Sequence, residues 1–237
     1  MPRGGRLELA PASLTRRRLV LLLISAVVAC WITVDVLHHG PWTHLDGSIS
    51  RTVRNWGLRH RPLPYDAVYA LTALGARAAI LIAFGPYVLA LSIWARSIQP
   101  LLRFAVALGL LTGAVYAFKF GVGRSAPVID AVHVGGESFP SGHQPNAVLM
   151  WGLVASLAVE FGLPARAVRI LSVLRVVAPG LVFLAMILLD FHWLSDMVAG
   201  IAVGIGLLAV MRIVFDGPIG RWGSPRRDPA TGQPAVE

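Results

Sequence analysis

Residues 16–37 read RRRLVLLLISAVVACWITVDVL: three arginines, then an apolar run that continues to Leu37 with Asp35 as its one charge. About twenty such residues in a helix cover the roughly 30 Å of a bilayer's hydrocarbon. The opening also has the make-up of a lipoprotein signal, with a basic start, an apolar stretch and a small residue before Cys30. The run passes Cys30 without pause, however, which favours a retained span over a cleaved one. Cys30 is the single cysteine, so no internal disulfide is possible, and a packed apolar role suits it.

Five more blocks of similar length and character follow, at 75–95, 101–121, 144–162, 172–190 and 196–215. Hydrophobic residues make up 56% of the chain and charged ones 14%, with a mean hydropathy of +0.68, which is too apolar for an ordinary soluble domain. The expected fold is therefore all-α: a polytopic membrane protein with six transmembrane helices in one domain, 18–215. A basic tail (1–17) precedes it and a disordered tail (216–237), rich in Arg, Gly and Pro, follows.

Short cytoplasmic loops collect Lys and Arg. Arg3, Arg6 and Arg16 to Arg18 precede the first span, Arg96 and Arg103 flank the turn between the second and third, Arg166, Arg169 and Arg175 flank the turn after the fourth, and Arg212, Arg221, Arg226 and Arg227 close the chain. Both termini are thus expected in the cytoplasm of a plasma-membrane protein. Segments 38–74, 122–143 and 191–195 then face outward. Segment 38–74 runs against the rule, with Arg51, Arg54, Arg59 and Arg61. The net charge of +9 belongs to membrane-flanking segments facing anionic lipid. No aromatic residues alternate with the arginines, so nucleic acid is not an expected partner.

Lys119, Arg124, Ser141, His143, His192 and Asp196 all fall at that outer face, and cations, imidazoles and a carboxylate together suit phosphate chemistry. His192 and Asp196 (HWLSD) are four apart, on one face of a helix. A carboxylate bound to one ring nitrogen fixes the tautomer and leaves the other free to attack phosphorus. The plainer alternative is an Asp capping a helix beside an interfacial His. In FPSGH (139–143), Gly142 permits close backbone approach, Ser141 offers a hydroxyl and an amide where a helix begins, and His143 is placed to protonate a leaving oxygen. Here too a simple N-cap turn is the plainer alternative, though a cap explains Ser141 and not His143.

Lys119 with Arg124 (KFGVGRSAP), then PSGH at 140–143, then HWLSD at 192–196 resemble the motifs of the type 2 phosphatidic acid phosphatase (PAP2) superfamily, over residues 100–205. The resemblance implies a six-helix membrane core and hydrolysis through a phosphohistidine, with no metal and no cofactor. It makes His192 the nucleophile, Asp196 its orienting partner and His143 the acid. Lys119, Ser141 and the Gly142 amide would hold the phosphoryl oxygens. The expected substrate is a membrane lipid phosphate, such as phosphatidic acid or an isoprenyl pyrophosphate.

Two departures stand out. The residue before Pro127 is Ala126 where the family has Arg, and Met186 stands where the third motif has Arg, six positions before His192. Neither can make the planar, permanently charged contacts of a guanidinium. Losing one such donor typically costs about 3–4 kcal/mol of transition-state stabilisation. Arg124 and Arg77, the latter about one turn inside the second block, are the candidate replacements as phosphate-binding residues. The same departures suit a lipid head-group phosphotransferase of the phosphoinositol-transfer type, because a diester needs less anionic clamping. A degenerate relative that only binds lipid phosphate is a third reading, against which the surviving His143, His192 and Asp196 argue.

Within 38–65, Trp42, Leu45, Ile49, Val53, Trp56 and Leu58 recur at roughly helical spacing between arginines, which suggests an amphipathic helix on the outer leaflet, walling the site. His38, His39 and His44 lack partners at metal-ligand spacing, and His133 and Asp190 read as a surface residue and a helix end. Small residues at 109–113 and 200–206 allow close helix packing, either in a homo-oligomer or inside one chain.

Overall fold

The structure, a computed structural model, describes residues 11–127 and 137–216, with side chains from Leu14 onward. Arg3, Arg6, His133, Arg221, Arg226, Arg227 and nearly all of the expected C-terminal tail lie outside the described residues. Eight α-helices are seen within them: α1 (Pro11–Leu37), α2 (Pro41–Asn55), α3 (Pro62–Thr72), α4 (Arg77–Trp94), α5 (Gln99–Val122), α6 (His143–Glu160), α7 (Ala165–Leu188) and α8 (Leu194–Phe215). A single 3-10 turn, Leu58–His60, joins α2 to α3.

Five of these, α1, α4, α5, α7 and α8, are long and apolar enough to cross a membrane. The chain is a multi-pass helical membrane protein. The expected fourth span, α6, is 18 residues long, and its polar first turn HQPN and terminal Glu160 hold its hydropathy below that of the others. It is instead the most enclosed helix. Gln144, Asn146, Leu149, Met150, Leu153 and Leu157 are among its buried residues, and the main core joins α6 to Phe84 and Val88 of α4, Phe104 and Leu111 of α5, and Met211 of α8. Helix α1, by contrast, turns Leu23, Val27 and Trp31 outward, as a lipid-facing helix does.

Glycines let α8 lie against α6. A Cβ at Gly200 would come within 2.9 Å of Gln144 Cβ, and one at Gly204 within 2.7 Å of Val148 Cβ. The small residues of 200–206 therefore serve packing inside the chain, with Gly206 facing Ser25 of α1.

At one end of the bundle, Arg18 pairs with Asp216, and buried Arg103 holds Glu160 (Nη2 to Oε1, 2.9 Å) and lies 5.3 Å over the Phe215 ring. The two ends of the described chain thus meet on one side. At the other end sit the α1–α2 turn, the α3–α4 turn, the last turn of α5, the start of α6 and the α7–α8 turn. The candidate site residues Arg77, Lys119, Arg124, Ser141, His143, His192 and Asp196 are at this end.

Helix α2 appears where an amphipathic helix was expected, but its faces carry a different content. Its buried residues are Asp46, Ser50 and Val53, while Leu45 and Trp56 are exposed. Asp46 and Ser50 turn inward beside Val53 because they have partners there, whereas Leu45 and Trp56 face outward. Asp35 turns the chain back from α1, accepting the Trp42 backbone N–H at 3.1 Å. The further short helix α3 was not expected.

Candidate functional site

Helix α8 begins at Leu194, and the chain before it is extended at Trp193. His192 therefore stands just outside the helix, and Asp196 in its first turn folds back beneath it. Asp196 Oδ2 lies 3.3 Å from His192 Nδ1 and accepts the Trp193 backbone N–H at 3.1 Å. The oxygen that caps the helix is thus also the one beside the imidazole. Both residues are buried. With Nδ1 facing the carboxylate, Nε2 is the nitrogen left for chemistry.

Helix α6 begins at His143, directly after Ser141 and Gly142. The Ser141 backbone N–H points to the Asp196 carbonyl at 3.3 Å, which ties the SGH turn to α8. Its hydroxyl is fully buried and has no partner among the described residues. Such a group costs stability unless a ligand or water completes it. The α3–α4 turn closes over the same point. Asn146 Nδ2 donates to the Gly75 carbonyl at 2.8 Å, Trp151 Nε1 to that of Leu74 at 3.0 Å, and a Cβ on Gly75 would meet the His143 carbonyl oxygen at 2.6 Å.

Lys119, buried in the last turn of α5, donates to the Glu137 carbonyl. Two imidazoles, one ammonium and a buried hydroxyl thus gather at one end of the bundle.

Arg124 lies among carboxylates. Nη1 donates to Asp196 Oδ1 at 2.9 Å and to Ser195 Oγ at 2.6 Å, Nη2 donates to Asp46 Oδ2 at 2.7 Å, and the guanidinium sits 5.1 Å over the Trp193 ring. It braces Asp196 from the side opposite the histidine. Asp46 completes the brace, accepting the Ser195 backbone N–H at 2.9 Å and its hydroxyl at 2.6 Å. Motif spacing gave no sign of Asp46, which is 149 residues from Ser195 in the chain. The signal was an Asp placed among the polar positions of an amphipathic helix, where it reads as solvated.

Arg77 is exposed at the first position of α4. Ala126 and Met186, the two substituted positions, are both buried, and Met186 packs with Ala147, Val182 and Met197. Asp190 ends α7 in a left-handed conformation (φ 55°) and pairs with Arg54 at 2.9 Å. Arg59 Nη2 donates to the Leu189 carbonyl at 2.8 Å. Arg54 and Arg59, two of the four arginines that break the charge rule in 38–74, are thus fastened to this end of the protein. Among the described residues, no group of three or more His, Cys, Asp or Glu is placed to hold a metal ion.

A buried histidine paired with a carboxylate lies at the same end of a helical membrane bundle as a second histidine and a lysine, a set of groups that phosphoryl transfer can use. A sequence profile of the PAP2 superfamily matches residues 100–217, and through that region the chain belongs to the PAP2 superfamily. The fold agrees. The crystal structure of the first transmembrane PAP2-type phosphatidylglycerolphosphate phosphatase, from Bacillus subtilis, superposes with a TM-score of 0.70 over 86% of this chain and 98% of that one, at 22% identity. A comparison with curated protein sequences finds no match.

Proposed function

We propose that the protein is an integral-membrane lipid phosphatase that hydrolyses a lipid phosphate monoester or an isoprenyl pyrophosphate through a phosphohistidine intermediate. The observation that carries this reading is the buried His192–Asp196 pair, held at 3.3 Å through Nδ1. His192 Nε2 attacks phosphorus. The bond from phosphorus to the leaving oxygen breaks, and His143 supplies that oxygen's proton. Water then attacks the phosphohistidine with His143 as base, releasing inorganic phosphate and restoring His192. Lys119, the Ser141 hydroxyl and the Gly142 amide bind the phosphoryl oxygens. The vacant hydrogen-bonding capacity of Ser141 supports its part in this. Arg124 acts in this scheme by fixing Asp196, while Arg77 is left as the candidate that reaches phosphate from α4.

The site faces the outside of the plasma membrane, with both termini in the cytoplasm. Arg18, Arg103 and Arg212 at the opposite end support this orientation. The mechanism needs no metal, so a chelator leaves the rate unchanged.

The test is phosphate release by purified protein in detergent, from phosphatidic acid and from an isoprenyl pyrophosphate, beside His192→Ala. Release that vanishes in the variant is expected. Release that persists in a folded variant sinks the mechanism.

One observation favours a second reading. With Arg124 held by two carboxylates and no Arg at 126 or 186, the site offers few permanent cations, which suits transfer of a phosphodiester head group to a lipid alcohol. Adding an alcohol acceptor and finding head-group transfer without phosphate release would establish it.

A further inference from the structure

We infer that the end of the bundle away from His192 carries a binding site for an anionic phospholipid, whose phosphodiester is held by Arg212 of α8 and Arg18 of α1. The site is built where three helices meet. Helix α1 runs against α8, with Leu22 and Ser25 facing Gly206 and, nearer the chain's start, Arg18 pairing with Asp216. Helix α6 flanks α8 on another side. Arg212 Nη2 donates to Ser156 Oγ of α6 at 2.7 Å, and Ser156 in turn donates to the Gly152 carbonyl at 2.7 Å. Asp216 follows Arg212 by one helical turn, so their Cβ atoms are about 6 Å apart. Arg18 and Arg212 therefore share one patch, joined through Asp216.

This patch is short of anions. A guanidinium has five N–H donors in a planar fork. Among the described residues, that of Arg212 makes one hydrogen bond, to a hydroxyl rather than a carboxylate, and its Nε is buried with no partner. An arginine left so in the last turn of a membrane-spanning helix is costly unless an acceptor completes it. Asp216 balances Arg18, and Glu160, the other carboxylate described at this end, is held by Arg103. Two guanidinium groups against Asp216 leave one positive charge. A phosphodiester brings one negative charge and two free oxygens, which suit the fork of a guanidinium.

The surroundings favour a lipid over a soluble anion. Leu14 and Leu21, about one turn to either side of Arg18 on α1, are exposed apolar residues along which acyl chains can lie. With the orientation proposed above, the patch opens on the cytoplasmic leaflet, where anionic lipids gather. Asp196 and Arg212 stand about 24 Å apart along α8. The site is thus separate from the catalytic pair and does not depend on the phosphatase reading. A lipid bridging Arg18 and Arg212 ties α1 to α6 and α8.

The experiment titrates detergent-purified protein by calorimetry with short-chain phosphatidylmethanol, whose head is a bare phosphodiester, with short-chain phosphatidylcholine, whose head adds a compensating ammonium, and with inorganic phosphate. Phosphatidylmethanol is expected to bind the wild type about tenfold more tightly than phosphatidylcholine does, and to raise the melting temperature. Arg212→Gln should weaken phosphatidylmethanol binding by about tenfold or more. Arg212→Lys, which keeps charge but loses the fork, falls between, and Arg18→Gln weakens binding several-fold. Equal affinity for the two lipids overturns the site. So does phosphatidylmethanol binding that Arg212→Gln leaves unchanged, the result that binding beside His192 would give. Inorganic phosphate bound as tightly as phosphatidylmethanol, and lost in Arg212→Gln, would make this a soluble-anion site and overturn the lipid assignment. If Arg212→Gln does not fold, Arg18→Gln decides, and unchanged affinity there overturns the inference.

Discussion

Replacing Asp46 by Asn tests whether a helix outside the family motifs governs the catalytic pair. The carboxylate is 1% exposed and accepts three hydrogen bonds, from the Ser195 N–H, the Ser195 hydroxyl and Arg124 Nη2. Asn keeps the shape and one acceptor oxygen, but removes the charge facing Arg124 and turns an N–H toward a donor. Losing a charge-assisted hydrogen bond costs about 1.5–3 kcal/mol, and breaking a buried ion pair outright costs about 3–5 kcal/mol. Because Asp196 still balances Arg124, a loss of about 2–3 kcal/mol in stability is expected, below the cost of breaking the pair outright. The undivided charge of Arg124 then falls on Asp196 and weakens its hold on the His192 ring. We expect kcat to fall about tenfold, equivalent to about 1.4 kcal/mol, with KM unchanged because Asp46 does not touch substrate. Steady-state phosphate release and thermal unfolding measure the two effects. The decisive form is a double-mutant cycle with Arg124→Gln, where a coupling of at least about 1.5 kcal/mol is expected. Additive effects within about 0.5 kcal/mol would refute a shared brace.

Three further outcomes follow from the same geometry. Ser141→Ala removes a hydroxyl that has no protein partner, so the melting temperature should hold while kcat/KM drops about tenfold or more, as befits a lost charge-assisted contact; a lower melting temperature with unchanged activity would reverse the assignment. Restoring the family arginine by Met186→Arg should not raise activity and should cut the yield of folded protein, because the side chain is 1% exposed among Ala147, Val182 and Met197; a more active, well-folded variant in the phosphate-release assay would show that the site opens toward α7. Gly75→Ala should press on the His143 carbonyl, which its Cβ would approach to 2.6 Å, costing about 1–3 kcal/mol of stability and lowering kcat; wild-type melting and turnover would show that the α3–α4 turn can move aside.

Much of the membrane core was legible in the sequence because apolar run length is a direct reading of bilayer thickness. The block expected at 196–215 is α8 at 194–215, and that at 101–121 is α5 at 99–122. Where boundaries slipped, the helix extends past the apolar run: α7 starts at Ala165, behind Pro164 and through Arg166 and Arg169, and α1 starts at Pro11 within the expected basic tail. Run length cannot see such turns. Within the site, the contact of His192 with Asp196 was legible because they are only four apart in the chain, although His192 stands before the helix and not on its face. The roles of Arg124 and Asp46 were not, since their partners are 72 and 149 residues distant. Sequence offered Arg124 as a free cation, and only the fold shows which anions surround it. The inward polar face of α2 was hidden for the same reason: an amphipathic pattern does not say which side is covered.

The gap between α6 and α8 has a mechanical consequence. Gly200 and Gly204 leave no room for a methyl group against Gln144, Pro145 and Val148, so the two helices cannot slide without a clash and move as one rod. A thinner or thicker bilayer then tilts the rod rather than shearing it. His143 opens one of these helices and His192 lies two residues before the other, so the reach that the proposed mechanism needs between the two imidazoles is insulated from lipid thickness. Vesicles of graded acyl length should therefore change how substrate arrives, seen in KM, well before they change the chemical step.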